Sequence, residues 1–151
     1  MYLKNAWYVA GWNHHLDDGL LARTICEEPI VFFRGADGKV GALEDRCCHR
    51  SAPLSVGRLQ GNEVECGYHG LRFDRTGQCT AIPTQELVPP GASVRSYPVV
   101  EKSRWIWIWM GDPAKADESQ IPDYFFLDNP DWANIDDYFY VECNYQAYID
   151  I

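Results

Sequence analysis

Cys47-Cys48-His49-Arg50 and, further along, Cys66-Gly67-Tyr68-His69-Gly70 are the two stretches that decide how this chain is read. Taken as C-x-H and C-x-x-H, they supply two thiolates and two imidazoles from two short loops. Clustered Cys and His at such spacing are a metal-ligand pattern. Within each loop, a gap of one or two residues lets Cys and His face the same way while reaching different ions. Residues 50–65 can form a hairpin arm that brings the second loop opposite the first.

Two chemistries fit this donor set. A Cys2His2 set can hold one tetrahedral zinc, but zinc ligands are usually grouped by kind, C-x-x-C and then H-x-x-x-H. Here each loop carries one Cys and one His. That mixed grouping suits a [2Fe–2S] centre in which two cysteines hold one iron and two histidines the other, which raises its potential above that of an all-cysteine cluster. The expected ligands are Cys47, His49, Cys66 and His69, and no separate catalytic residue stands out.

The chain has 151 residues, 46% of them hydrophobic. That is enough for one domain with a real core, or one domain and the start of another. Six Trp and nine Tyr, with many Val and Ile, favour strands. A net charge of −9 argues against nucleic-acid binding, since nothing basic is available to neutralise phosphates, and is compatible with a basic redox partner. The first residues carry no secretory pattern and no apolar run approaches membrane-spanning length, so a cytoplasmic protein without a membrane segment is expected. Cys26, Cys48, Cys79 and Cys143 show no disulfide spacing and are expected to be free thiols, mostly buried.

In chain order, residues 2–11 read as a first strand, and His14-His15 as solvated loop histidines whose rings point to opposite sides of an extended segment. Residues 20–44 form the clearest hairpin, with Arg23–Cys26 leading to Pro29–Arg34, an Asp37-Gly38 turn and the returning Val40–Leu43. Pro53 closes the first ligand loop. Residues 58–61 read as a turn, 63–65 as a strand delivering Cys66, and 71–74 with 78–80 as a hairpin. Pro83, Pro89, Pro90 and Gly91 mark a loop able to lie over the metal site. Ser96–Val100 and Arg104–Met110 are the last strands; Trp105, Trp107 and Trp109 alternate with Ile106, Ile108 and Met110, a pattern covered on both faces. The reading is all-β. Residues 112–137 make a Pro- and Asp-rich linker, and Tyr138–Cys143 reads as a fresh strand.

The sequence resembles the N-terminal Rieske domain of Rieske non-haem iron oxygenases, and within them the branch of vanillate O-demethylase and related demethylating monooxygenases. The residues that carry the resemblance are Lys4-Asn5-Ala6-Trp7-Tyr8-Val9-Ala10, Asp45 to Leu54, Cys66 to Asp74, and Trp107-Ile108-Trp109-Met110-Gly111. The family's Pro between the first Cys and His is Cys48 here, which opens the register Cys48-His49; the family's one-residue gap keeps Cys47. The resemblance implies an antiparallel β-sandwich with a smaller cluster-binding subdomain over residues 1–111, a linker over 112–137, and the start of a truncated catalytic domain over 138–151. In the family that second domain opens Asn-Tyr-x-x-x-x-Asp-Asn-Leu; this chain has Asn144-Tyr145 to Asp150, then Ile151 in place of the second Asn, and no mononuclear-iron ligands.

The function so implied is electron transfer within an aromatic-compound oxygenase, from a flavin and iron–sulfur reductase, directly or through a ferredoxin, to a mononuclear Fe(II) present only in a full-length chain, with homotrimers the usual assembly. Respiratory Rieske proteins place a Ser and a Tyr where this chain has Leu71 and Phe73, and a disulfide where it has Ala52 and Tyr68. A lower-potential, disulfide-free cluster is therefore expected. The alternatives are a stand-alone Rieske-type ferredoxin, against which residues 112–151 tell, and a zinc-stabilised module.

Overall fold

The run Glu28-Pro29-Ile30-Val31-Phe32-Phe33-Arg34 is apolar on both sides of its pleat, so a strand built from it must be covered on both faces. The computed structural model, which describes residues 2–149, places it so. Strand β3 (Glu28–Arg34) lies between β2 (Leu21–Ile25) and β4 (Val40–Glu44) in an antiparallel sheet. Ile30, Val31, Phe32 and Phe33 are all 0% exposed. Ile30 and Phe32 point into one hydrophobic core, Val31 and Phe33 into the other.

The first core is closed by a second sheet, in the order β1 (Ala6–Trp12), β10 (Trp105–Met110), β9 (Val99–Lys102). Ile106, Ile108 and Met110 of β10 meet Ile30, Phe32 and Ala42 there. On the opposite side, β5 (Arg58–Gln60), β6 (Glu63–Glu65), β7 (Arg72–Phe73) and β8 (Cys79–Ala81) form a four-stranded antiparallel sheet, the smaller subdomain. Its Val64 and Phe73 share the second core with Val31, Phe33 and Leu43, and so do Cys47 and Cys66. Residues 92–97 stitch the two parts together: Cys79 N–H donates to Ala92 O at 2.9 Å and Glu44 N–H to Arg95 O at 2.8 Å.

The expected all-β sandwich with a smaller subdomain is present, and several local readings change. Residues 58–61 are not a turn, because Arg58–Gln60 pairs with Glu63–Glu65 around Gly61-Asn62. The first strand is Ala6–Trp12, shorter at its start than expected, and the last two begin at Val99 and Trp105. His14 and His15 lie in a 3₁₀ turn (Asn13–Leu16), with rings 4.8 Å apart. His14 sits 3.4 Å from the Asp136 carboxylate, and His15 is half-buried, so neither matches a free loop histidine. Of the spare cysteines Cys79 is buried and Cys26 half-buried, whereas Cys48 and Cys143 are exposed.

Residues 112–137 form a strap and not a loose spacer. The tryptophan face of β1 and β10 leaves indole N–H groups that need acceptors, and the strap supplies backbone carbonyls. Trp109 donates to Asp112 O at 2.8 Å, Trp7 to Asp117 O at 2.8 Å and Trp12 to Asp137 O at 3.0 Å. Tyr124 packs edge-on against Trp105, with ring centroids 4.9 Å apart. Tyr138–Cys143 is not a strand: it is exposed and has no ladder partner among the described residues, and it precedes a short helix α1 (Tyr145–Ile149). The expected Asp150 and Ile151 of the second-domain motif lie outside the described residues.

Two outcomes test this architecture. Phe33→Ala should lower stability by about 3–5 kcal/mol, the usual range for emptying a buried Phe site, read from urea unfolding. At the β3–β4 turn, the Arg75 guanidinium holds the Asp37 carboxyl at about 2, below its ordinary 3.8. A carboxylate whose folded value is depressed stabilises the fold above its unfolded value, and that contribution fades as the pH falls through the folded one. Asp37→Asn should therefore lower the thermal midpoint at neutral pH, with the difference from the parent disappearing towards about pH 2.

Candidate metal centre

The two ligand loops are built on one local plan. In the first, Cys47 N–H donates to Ala52 O at 2.8 Å and Ser51 N–H to Cys47 O at 2.9 Å. In the second, Cys66 N–H donates to Leu71 O at 2.8 Å and Gly70 N–H to Cys66 O at 3.0 Å. Each loop turns through a left-handed residue at the equivalent position, Ser51 with φ 56° and Gly70 with φ 72°. Glycine adopts that conformation freely and serine does so at a cost. The His lies two residues after the Cys in the first loop and three after it in the second.

The loops meet along their backbones. After Pro53 the chain makes a 3₁₀ turn (Leu54–Val56) and passes Gly57. A Cβ on Gly57 would fall inside the Glu65 carbonyl oxygen and lie 3.0 Å from Gly67 N. Asp45 braces the turn by accepting the Ser55 N–H at 2.7 Å and its hydroxyl at 2.6 Å. Beside the second loop, the buried Glu65 carboxylate lies between Arg58 and Arg72, its register partners on the neighbouring strands. Arg58 Nε donates to it at 2.8 Å and Arg72 Nε at 2.9 Å. These guanidiniums hold Glu65 below the ordinary carboxylate range, Arg58 first.

The four expected side chains are brought together as two like pairs. Cys47 and Cys66 are buried together in the second core. Burial pushes the Cys47 thiol up to about 11, the His49 backbone N–H opposes the rise, and the adjacent Cys66 thiol adds to it. His49 and His69 stand outside, exposed, with ring centroids 4.5 Å apart. Tyr68 packs on His69 at 3.8 Å. Desolvation, then His49 and the Arg50 guanidinium, hold His69 below its usual value, which keeps the ring neutral and available as a donor near pH 7. Cys48, the rival for the first ligand position, is exposed and lines an open cleft of about 450 Å³ beside the rings. Ile82, Thr84, Gln85 and Pro89 line that cleft, so the Pro-rich loop lies against the site.

Among the described residues, no three His, Cys, Asp or Glu side chains gather about one point as a single-ion site would require. An inner thiol pair and an outer imidazole pair are instead the donor chemistry of a binuclear centre with differently ligated irons. The residues therefore fit a Rieske cluster better than a zinc ion. Leu71 and Phe73 are buried and apolar, and among the described residues all six cysteines are free. Gly57, the Asp45–Ser55 brace and the Arg58–Glu65–Arg72 row were missed from the sequence. A Gly between Val56 and Arg58, and charges of opposite sign spaced seven residues apart across two hairpin turns, were the signals available.

The Rieske [2Fe-2S] domain family matches residues 6–98, well over half of the chain, and the chain belongs to that family. Its relatives are iron–sulfur and oxygenase subunits of Rieske oxygenases. It is 48% identical, over 99% of its length, to the toluene-4-sulfonate monooxygenase system iron-sulfur subunit of Comamonas testosteroni, of which it spans 44%. It is 43% identical to the vanillate O-demethylase oxygenase subunit of a Pseudomonas species (strain HR199), over 99% of this chain and 42% of that one. The crystal structure of dicamba monooxygenase bound to dicamba superposes with a TM-score of 0.95 at 45% identity, covering 99% of this chain and 45% of that one. The chain thus spans less than half the length of these relatives. No helix among the described residues is long and apolar enough to cross a membrane.

Because the loops touch where a Cβ has no room, Gly57→Ala should force them apart. The expected result is a folded chain with less iron and sulfide than the parent after identical reconstitution, measured by colorimetric assay; parent-level iron and sulfide would mean that the contact does not set the loops.

Proposed function

We propose that this chain is the electron-entry domain of an aromatic-compound oxygenase of the monooxygenase or O-demethylase type. In this reading Cys47 and Cys66 hold the inner iron of a [2Fe–2S] cluster, and His49 and His69 hold the outer one. Residues 1–111 are the Rieske domain, 112–137 the connecting strap, and 138–151 the beginning of a catalytic domain whose mononuclear iron ligands are not among these residues. The electron source is a flavin and iron–sulfur reductase, acting directly or through a ferredoxin, and the setting is the cytoplasm. A homotrimer is the assembly proposed for the full-length protein. The single observation that carries the reading is a buried Cys pair and an exposed, adjacent His pair on the same two loops, within residues that match the Rieske family.

The bound cluster supplies one-electron redox chemistry at a potential set by its ligands and surroundings. The chain's own residues do the rest. Burial of Cys47 and Cys66 keeps water from the sulfur side, and a bound cation offsets the cost of ionising desolvated thiols. Neutral imidazoles add no negative charge, which favours reduction, and their exposed edges give the partner its closest approach. Leu71 and Phe73 offer no hydroxyl to the cluster sulfurs, so nothing at those positions raises the potential further.

Two measurements test this. The parent and Cys48→Ser should both carry a full [2Fe–2S] complement and a Rieske-type EPR signal after reduction, whereas Cys47→Ser loses both. Retention by Cys47→Ser with loss in Cys48→Ser would reassign the first ligand, and a colourless zinc protein would sink the reading. Redox titration should place the potential towards the low end of the Rieske range, roughly −150 mV; a value as high as a respiratory Rieske centre would refute the argument from Leu71 and Phe73.

A further inference from the structure

Among the described residues Glu65 is the only buried carboxylate, with its side chain 8% exposed. Strand alternation puts it there. Val64 takes the core-facing position of β6, so Glu65 points to the other face of the small sheet. Its register partners Arg58 on β5 and Arg72 on β7 share that face. Each guanidinium takes one carboxylate oxygen: Arg58 donates to Oε1 through Nε at 2.8 Å and again through Nη2, and Arg72 Nε donates to Oε2 at 2.9 Å. Stability does not account for this arrangement. Desolvation offsets most of what a buried ion triplet gains, and apolar residues of similar size often serve as well. The arginines are also 69% and 44% exposed, which screens the attraction further.

The chain on either side of the triplet gives it a different role. Arg58 follows Gly57, the point at which the exit of the first ligand loop touches the Glu65 carbonyl. Glu65 leads directly into Cys66. Arg72 follows Leu71, whose carbonyl accepts the Cys66 N–H at 2.8 Å and closes the second loop. One carboxylate therefore joins the places where the chain leaves the first loop, enters the second and leaves the second. We propose that Glu65 is a positioning residue of the metal centre, clasping the necks of both ligand loops through Arg58 and Arg72, and that its charge is one of the determinants of the cluster potential. In this way it fixes Cys66 and His69 relative to Cys47 and His49. The inference rests on the function proposed above. Reduction adds one electron to the cluster, supplied by the reductant, and makes or breaks no bond in the clasp. A negative charge nearby opposes that step and a positive one favours it.

The test uses the full chain. With the cluster loaded, Glu65→Gln keeps the size of the side chain and removes its charge; redox titration should show a higher potential, by about threefold in the reduction equilibrium. Arg72→Gln should lower the potential by a similar factor. Opposite shifts from two lesions of one clasp separate charge from mere loosening, which would move both the same way. Glu65→Asp keeps the charge on a shorter arm. It should hold the parent's potential and still lose iron to a chelator about tenfold faster than the parent, as Glu65→Gln does. Glu101→Gln removes an equal charge from the Arg34 pair on β9 and should change neither reading. In the metal-free chain, the Cys66 and Gly70 amide protons should exchange about tenfold faster in Glu65→Gln than in the parent. Potential shifts of the same sign in Glu65→Gln and Arg72→Gln, no shift in either, or an equal shift in Glu101→Gln would overturn the proposal. So would iron loss and amide exchange at the parent's rates. The parent's reduced EPR spectrum is recorded first. Without a Rieske signal the proposed function fails and takes the effect on potential with it, while amide exchange still decides the clasp; with that signal, failure of the charge and exchange tests defeats the clasp alone.

Discussion

The double burial of β3 and β4 is the constraint on which everything else in this molecule depends. One sheet serves as the wall of two cores, with Ile30, Phe32 and Ala42 on the sandwich side and Val31, Phe33 and Leu43 on the cluster side. Fully burying a large apolar side chain is worth about 1.5–3 kcal/mol. The four consecutive residues Ile30 to Phe33 therefore contribute an amount comparable with the whole net stability of a typical domain, about 5–15 kcal/mol. Neither layer can be loosened without loosening the other. Cys47 and Cys66 belong to the second core as packing residues, so the inner donors are held by the same contacts that hold the fold.

The ligand loops add a second, sharper condition. Their shared hydrogen-bond plan fixes where each Cys begins, and the crossing at Gly57 fixes how near the loops come. The result is asymmetric in solvation, with thiols inside and rings outside. Ionising a buried thiol without a compensating cation is costly, as the rise of Cys47 to about 11 reflects. Neutral imidazoles at the surface carry no such penalty. Sulfur therefore belongs on the dry side and imidazole on the wet one.

This chemistry was legible because it depends on residue type and spacing. Cys47, His49, Cys66 and His69 could be picked out without coordinates, and so could the β3–β4 hairpin, where alternation and Asp37-Gly38 agree. What the sequence hid depends on contacts across the chain. Arg58–Gln60 looked like a turn because it is short and polar, and only pairing with Glu63–Glu65 makes it a strand. Tyr138–Cys143 has strand composition but pairs with no strand among the described residues, and propensity without a partner gives no ladder. His14 and His15 were read as extended and solvated because nothing local announces that Asp136, far along the chain, comes back to meet them. Cys48 and Cys79 are the same residue type, and only the loop's direction sends one outward and the other into the core.

Charge shows the same division between composition and placement, with a larger consequence. A net charge of −9 describes the field seen from far away, and salt removes most of it: at 0.1 M ionic strength exposed charges are screened beyond about 10 Å. A partner at contact distance therefore senses the local arrangement. That arrangement follows from pairing. Carboxylates opposite arginines are neutralised in place, Glu28, Asp37 and Glu101 among them, and Glu65 is enclosed by two of them. Arg46 and Arg50 lie in a loop whose geometry is dictated by Cys47 and His49, so they are left facing solvent with no acidic neighbour in ion-pair range among the described residues. The strand pairing that braces the second loop and the tight turn that presents the first thus also set which charges reach solvent beside them.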